Sequence, residues 1–335
     1  MQYKSYHKNN HINNDNFDDE TSSDSLYQLK LQCRRQSNIK KSQKMSTTKI
    51  MKKPTTKTIT TTTTDSDLMI PIDLNIRLNV SFNIFVLADL HMEMNIERQQ
   101  LNYYLRTIPS STEVLILCGD IGDPRARYFS RFLRCCSDRF KIVLFVPGNH
   151  EHWFVSLREL ESLCQSVNVQ MLHNGTLTYK GITFAGTTLW TELLDINKKQ
   201  IDDKSLNRIN DLKFVKGLTR NKWTNKFQKA TEFIKKTLNK HKKVIVITHH
   251  CPSFSLVQDY YRYSPLTACY ASNCNDLLRH PSLIAWTFGH THSTVRYLMK
   301  CSNHAILLNN SACTTDYLTN QSNTTNTNGW LSKAK

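Results

Sequence analysis

The chain has 335 residues, 39% of them hydrophobic, and a formal net charge of +17. That length builds one large domain or two smaller ones, and the low apolar share leaves part of the chain outside any core. No run of about 18 apolar residues is present, so no transmembrane helix is expected, and ten cysteines without a CxxC pair do not form the disulfide framework of a small secreted domain.

Residues 1–78 are rich in Asn, Ser, Thr and Lys and include "TKTITTTTTDSD" at Thr56–Asp67. Such a segment buries too little apolar surface to offset its ordering entropy. It is expected to be disordered, with a short helix around Leu26–Arg35. Its start lacks the apolar stretch of a signal peptide. With reduced thiols, a cytoplasmic protein is expected. From there, short apolar runs read as strands at 82–88, 113–118, 141–146, 182–186, 243–248, 284–288 and 305–310. Helical periods lie between several of them, at 97–108, 124–136, 156–166 and 225–240. Doubly buried strands alternating with helices indicate a layered α/β domain over 79–313. Residues 314–335 read as a second polar tail.

The ends of the strands carry the chemistry. "FVLA" is followed by Asp89 and His91, "LILC" by Gly119, Asp120 and Asp123, and "LFVP" by Gly148, Asn149, His150 and Glu151. "VIVIT" leads into His249 and His250, and "AWTF" into Gly289, His290 and His292. Sites in α/β sheets form just past the carboxyl ends of strands. The chain has nine glycines, and Gly119, Gly122, Gly148 and Gly289 fall in these turns, where backbone geometry demands them. Asp89, His91, Asp120, Asn149, His249, His290 and His292 make too many N/O ligands for one tetrahedral zinc. They suit two divalent metals about 3.5–4 Å apart that share one carboxylate. Without thiolate, Mn, Fe, Zn or Mg fits better than copper or an iron–sulfur cluster. Such a pair acidifies a shared water and neutralises phosphoryl charge. His150 is the natural proton source for a leaving alkoxide.

The ordered set "DLH … GDIGD … GNHE … HHCP … GHTH" closely resembles the calcineurin-like metallophosphoesterase superfamily, over roughly residues 80 to 312. "GTTLW" (Gly186–Trp190) and "YASN" (Tyr270–Asn273) resemble its single-domain, bacterial-type branch. The resemblance implies a four-layer α/β/β/α sandwich of two mixed sheets, with a di-metal site at the strand ends. It also implies phosphoester hydrolysis by in-line attack of a hydroxide bridged between the metals. By the family pattern, one metal takes Asp89, His91, Asp120 and His292. The other takes the bridging Asp120 with Asn149, His249 and His290. His150 is then the general acid, or the cation that stabilises the leaving group, and Asp123 the residue that holds it. Of the pair at 249–250, the first is the ligand.

Other polar residues read as structural. Glu151 is expected to be a hydrogen-bonding partner, His152 a surface residue, Cys251 an inert thiol, and Tyr260, Tyr261 and Tyr263 loop packing. The lysines of 235–243 suit a solvated helix end. The implied substrate is a phosphorylated small molecule or nucleotide. A metal-binding scaffold and a nuclease are the alternatives. Intact ligands weigh against the first. For the second, a basic chain allows nucleic acid, yet 193–222 lacks a stacking pattern of aromatic and basic residues.

Overall fold

The computed structural model describes residues 69–71, 82–94, 104–106, 108–293, 295–299, 306–309 and 330–331. The readings for residues 1–68 and for most of the tail at 314–335 lie outside those residues. So does most of the helical period at 97–108, of which 104–106 are helical.

Twelve strands are described: β1 (Met69–Pro71), β2 (Ile84–Leu87), β3 (Val114–Leu117), β4 (Ile142–Phe145), β5 (Gln170–Met171), β6 (Gly175–Tyr179), β7 (Ile182–Thr187), β8 (Val244–Thr248), β9 (Leu283–Phe288), β10 (Val295–Met299), β11 (Ile306–Asn309) and β12 (Trp330–Leu331). They form two sheets, ordered β12-β2-β3-β4-β5 and β1-β10-β11-β9-β8-β7-β6. Both are mixed: β2 to β5 run parallel with β12 antiparallel. In the larger sheet β7, β8, β9 and β11 are parallel, β6 and β10 run antiparallel to them, and β1 pairs antiparallel with β10.

The alternation of side chains along each strand shows the layers. Val114 and Ile116 of β3 join Ile245 and Ile247 of β8 in a cluster between the sheets. The intervening Leu115 and Leu117 point the other way, into a cluster with Phe129, Phe132 and Leu160. Those three come from helices α1 (Arg127–Arg139) and α3 (Leu157–Ser166), which flank the short α2 (Asn149–Phe154) in the chain. On the far side, Val244 and Val246 meet Trp223, Phe227 and Ile234. These lie on α6 (Arg220–Lys240), after the one-turn helices α4 (Asp203–Leu206) and α5 (Asp211–Phe214). The expected α/β/β/α sandwich is therefore the observed one. Strands covered on both faces read as continuous apolar runs because neither face meets water.

Local chemistry sets the boundaries. The helix expected from 225 begins at Arg220, because the Thr219 side chain accepts from Lys222 N and caps an earlier first turn. α3 starts on a capping box, Ser156 with Glu159. Strand β6 was not expected from sequence. Its alternately half-buried and exposed residues carry no apolar run, and it is held at the sheet edge by its turn. Lys180 and Gly181, with φ of 44° and 78°, are the two left-handed residues of a tight hairpin. Two further short strands lie beyond the expected domain bounds, β1 pairing with β10 and β12 with β2.

Candidate metal centre

The parallel strands of both sheets deliver their carboxyl ends to one place. There the backbone takes conformations that regular strands avoid. Asp89 (φ 52°), His91 (45°), Asp120 (52°), His290 (66°) and His292 (49°) all lie in the left-handed region. Non-glycine residues enter that region at a cost, and such outliers gather at functional sites. Hydrogen bonds hold them: Asp89 N donates to Gly119 O, and His91 N donates to Asp120 O. His290 N donates to Asp89 Oδ1 at 2.8 Å, joining the two sheets. Gly119 (φ 83°) has no room for a side chain, since a Cβ would stand 2.5 Å from Gly148 N and 2.6 Å from His249 Nδ1.

These turns bring all seven expected ligands together. His91 Nε2 lies 3.0 Å from His292 Nε2, and His249 Nε2 lies 3.1 Å from His290 Nδ1. Asp120 Oδ2 stands between the pairs, 3.7 Å from His91 Nε2 and 3.4 Å from His249 Nε2. Asn149 Oδ1 is 2.9 Å from His249 Nε2. Three groups, Asp89–His91–His292, Asp120–His249–His290 and His91–Glu93–His150, have the proximity of ligands to a common ion.

The donor set fits cations. His249 Nδ1 donates to the carbonyl of Cys118 at 2.8 Å, which turns its Nε2 lone pair toward the cluster. His91 Nδ1 faces Glu93 Oε1 at 2.9 Å, with the same result. Imidazole nitrogens 3.0 Å apart need a proton or a cation between them. Asp89 Oδ2 is buried and has no hydrogen-bond partner among the described residues, a costly state for a carboxylate unless an ion satisfies it. Burial opposes charge on His249, yet Asp120 raises it to about 9. A metal ion would displace the proton held there.

Glu151 is a structural partner, as expected. It is buried, and its carboxylate accepts from the backbone N–H of Asp120, Ile121 and Gly148. That ties the second ligand turn to the third. Burial and Asp120 push it up to about 7. His250 lies outside all three groups. Its Nδ1 faces Thr188 O at 3.1 Å, its ring stacks on Trp190, and burial lowers it to about 3.

Three expectations need correction. Asp123 does not hold His150, because its carboxylate pairs with Arg125 at 2.7–3.2 Å. His150 Nδ1 instead faces Glu93 Oε1 at 2.9 Å. Glu93 stands two positions after His91, which was its one signal in the sequence. His152 is buried rather than on the surface, with Nε2 3.3 Å from Thr188 Oγ1. Tyr260 and Tyr263 are exposed, and of the three tyrosines only Tyr261 packs against the core.

An α/β/β/α sandwich whose strand ends gather histidine and aspartate in groups that could hold metal ions is the architecture of a metallophosphoesterase. The chain belongs to the calcineurin-like phosphoesterase family, whose sequence model matches residues 82–294. It is 29% identical over 218 residues, 57% of this chain and 75% of the other, to "Uncharacterized protein L509" of Acanthamoeba polyphaga mimivirus. It is 28% identical over 97 residues to the "Transmembrane protein with metallophosphoesterase domain" of Bos taurus, across 28% of this chain and 22% of that protein. Among solved structures, the phosphopantetheinyl hydrolase PptH of Mycobacterium tuberculosis superposes with a TM-score of 0.54 at 15% identity. That superposition covers 72% of this chain and 93% of the other, a likeness of fold. No helix among the described residues is long and apolar enough to cross a membrane.

Proposed function

We propose that the chain is a metal-dependent hydrolase of phosphoesters. The observation that carries this reading is the pair of imidazole contacts, His91–His292 at 3.0 Å and His249–His290 at 3.1 Å, on either side of the Asp120 carboxylate. One divalent ion would be held by Asp89, His91, Asp120 and His292, the other by Asp120, Asn149, His249 and His290. When bound, such ions acidify water and neutralise phosphoryl charge.

The chain's own residues do the rest. Asp120 is fixed from behind, since its Oδ1 accepts from His150 N at 3.0 Å, which leaves Oδ2 toward both imidazole pairs. His150 sits at the edge of the cluster, with Nε2 3.8 Å from Asp120 Oδ2. From there it protonates the departing oxygen. Glu93 orients that ring. The substrate is a phosphorylated small molecule or nucleotide. A cytoplasmic setting belongs to the same proposal, supported by seven described cysteines that are all unpaired.

The test is hydrolysis by the full chain of p-nitrophenyl phosphate and bis-p-nitrophenyl phosphate, with Mn²⁺ or with EDTA, and with Asp120→Asn as control. Turnover of either ester that EDTA and the mutation both abolish supports the reading. Metal-loaded protein that hydrolyses neither ester favours a binding scaffold.

A further inference from the structure

Asn149 is held from a part of the chain far from the ligand motifs. Its Nδ2 donates to Asp211 Oδ1 at 2.8 Å, across 62 positions of sequence. The same oxygen accepts from Trp153 Nε1, also at 2.8 Å. Trp153 in turn stacks on the His150 ring, with centroids 3.7 Å apart and planes 25° from parallel. Phe214, one turn along α5 from Asp211, closes on the other side of Trp153 at 5.2 Å. Asp211 is buried, 4% exposed, on a one-turn helix inside the long segment between β7 and α6.

We infer that Asp211 is a positioning residue that sets both the Asn149 amide and the His150 ring. The physical reason is the asymmetry of an amide. Either end can face the cluster, and only the oxygen can bind a cation. A carboxylate accepts and does not donate, so Asp211 compels Nδ2 to turn toward it and Oδ1 to face His249. By taking the indole N–H with the same atom, it fixes the plate on which His150 rests. The segment between β7 and α6 thereby reaches the centre without supplying a ligand. Partners of this kind alter metal affinity or activity by about 10–100-fold.

This inference rests on Asn149 being a metal ligand, and the experiment separates the two. Mn²⁺ affinity is measured by calorimetry on the full chain for the wild type, Asn149→Ala, Asp211→Ala, Asp211→Asn and the double variant Asn149→Ala/Asp211→Ala. Asp211→Ala is expected to weaken Mn²⁺ binding about tenfold or more. Asp211→Asn, which keeps an acceptor oxygen, is expected to rescue most of the loss. In the Asn149→Ala background, removing Asp211 should cost little further. If Asn149→Ala itself leaves Mn²⁺ affinity intact, the ligand assignment fails. If Asn149→Ala weakens binding and Asp211→Ala does not, the positioning role alone fails, as it does if Asp211→Ala weakens both backgrounds equally.

Should Asp211→Ala not fold, the exchange Asn149→Asp/Asp211→Asn decides. Asn149→Asp alone sets two carboxylates face to face and should bind Mn²⁺ more weakly than the double exchange, which restores the donor–acceptor pair in reverse. Equal affinity in the two would overturn the inference.

Discussion

Glu93 Oε1 lies 2.9 Å from His150 Nδ1, and the same oxygen lies 2.9 Å from His91 Nδ1. One buried carboxylate thus orients an expected ligand and the expected proton donor. Burial opposes charge on Glu93, but His91 and His150 outweigh it and hold the carboxyl at about 2.

Replacing Glu93 with Gln should therefore lower turnover about 10–100-fold. The loss should be greatest for esters with poor leaving groups, because p-nitrophenolate departs without a proton. His150→Ala should show the same dependence more strongly. Rates on phenyl and p-nitrophenyl esters, compared for both variants, provide the check. Equal losses on the two esters would remove His150 from the leaving-group role.

A methyl group on Gly148 would collide with Asp120 Oδ1. Gly148→Ala should cost about 1–3 kcal/mol, the usual range for forced overpacking, and should impair Mn²⁺ binding as well, because the atom displaced belongs to the carboxylate proposed to be shared by the ions. Gly181→Ala makes an informative contrast: its Cβ would meet nothing within 4 Å, so only backbone strain at φ 78° should appear. Urea unfolding and Mn²⁺ titration of both variants separate the two causes.

Metal should stabilise the fold. Ligands that bind only the native state add about 2.7 kcal/mol at a hundred times their Kd. The melting temperature in Mn²⁺ should exceed that in EDTA. For Asp120→Asn the difference should shrink sharply. A melting temperature indifferent to Mn²⁺ in the wild type would count against the centre.

Glu113 makes a pH-dependent clamp at the opposite end of the sheets. Its carboxylate accepts from Lys141 beside it and from Tyr179 and Lys180 of the β6–β7 turn. Partial burial acts to raise the carboxyl, yet Lys180, Lys141 and Tyr179 hold it at about 2, below its ordinary 4.5. A depressed acid stabilises the fold above its unfolded value and loses that contribution as pH falls through the folded one. Glu113→Gln should thus destabilise most above pH 4.5, and least near pH 2. Urea midpoints measured across that window would show the two curves converging, and parallel curves would contradict the clamp.

Much of this molecule was legible in the chain. The apolar runs marked seven strands because strands covered on both faces have no polar side. The residues after "FVLA", "LILC", "LFVP", "VIVIT" and "AWTF" marked the side chains that gather at the candidate centre, because the turns leaving parallel strands all emerge at one end of a sheet. Strand β6 was hidden, since an edge strand needs only half its residues buried. The buried position of His152 was hidden too, since a side chain's exposure depends on what folds over it.

Sequence alone determined which side chains stand at the strand ends and in which order, since hydrophobic period and turn chemistry are local properties. Tertiary structure decided which partner each one has. Asp123, three positions from Asp120, pairs with Arg125, while His150 takes Glu93 from another turn and Asn149 takes Asp211 from 62 positions away. Hydrogen bonds form between groups that packing brings within about 3 Å, and no local pattern encodes distances between separate elements.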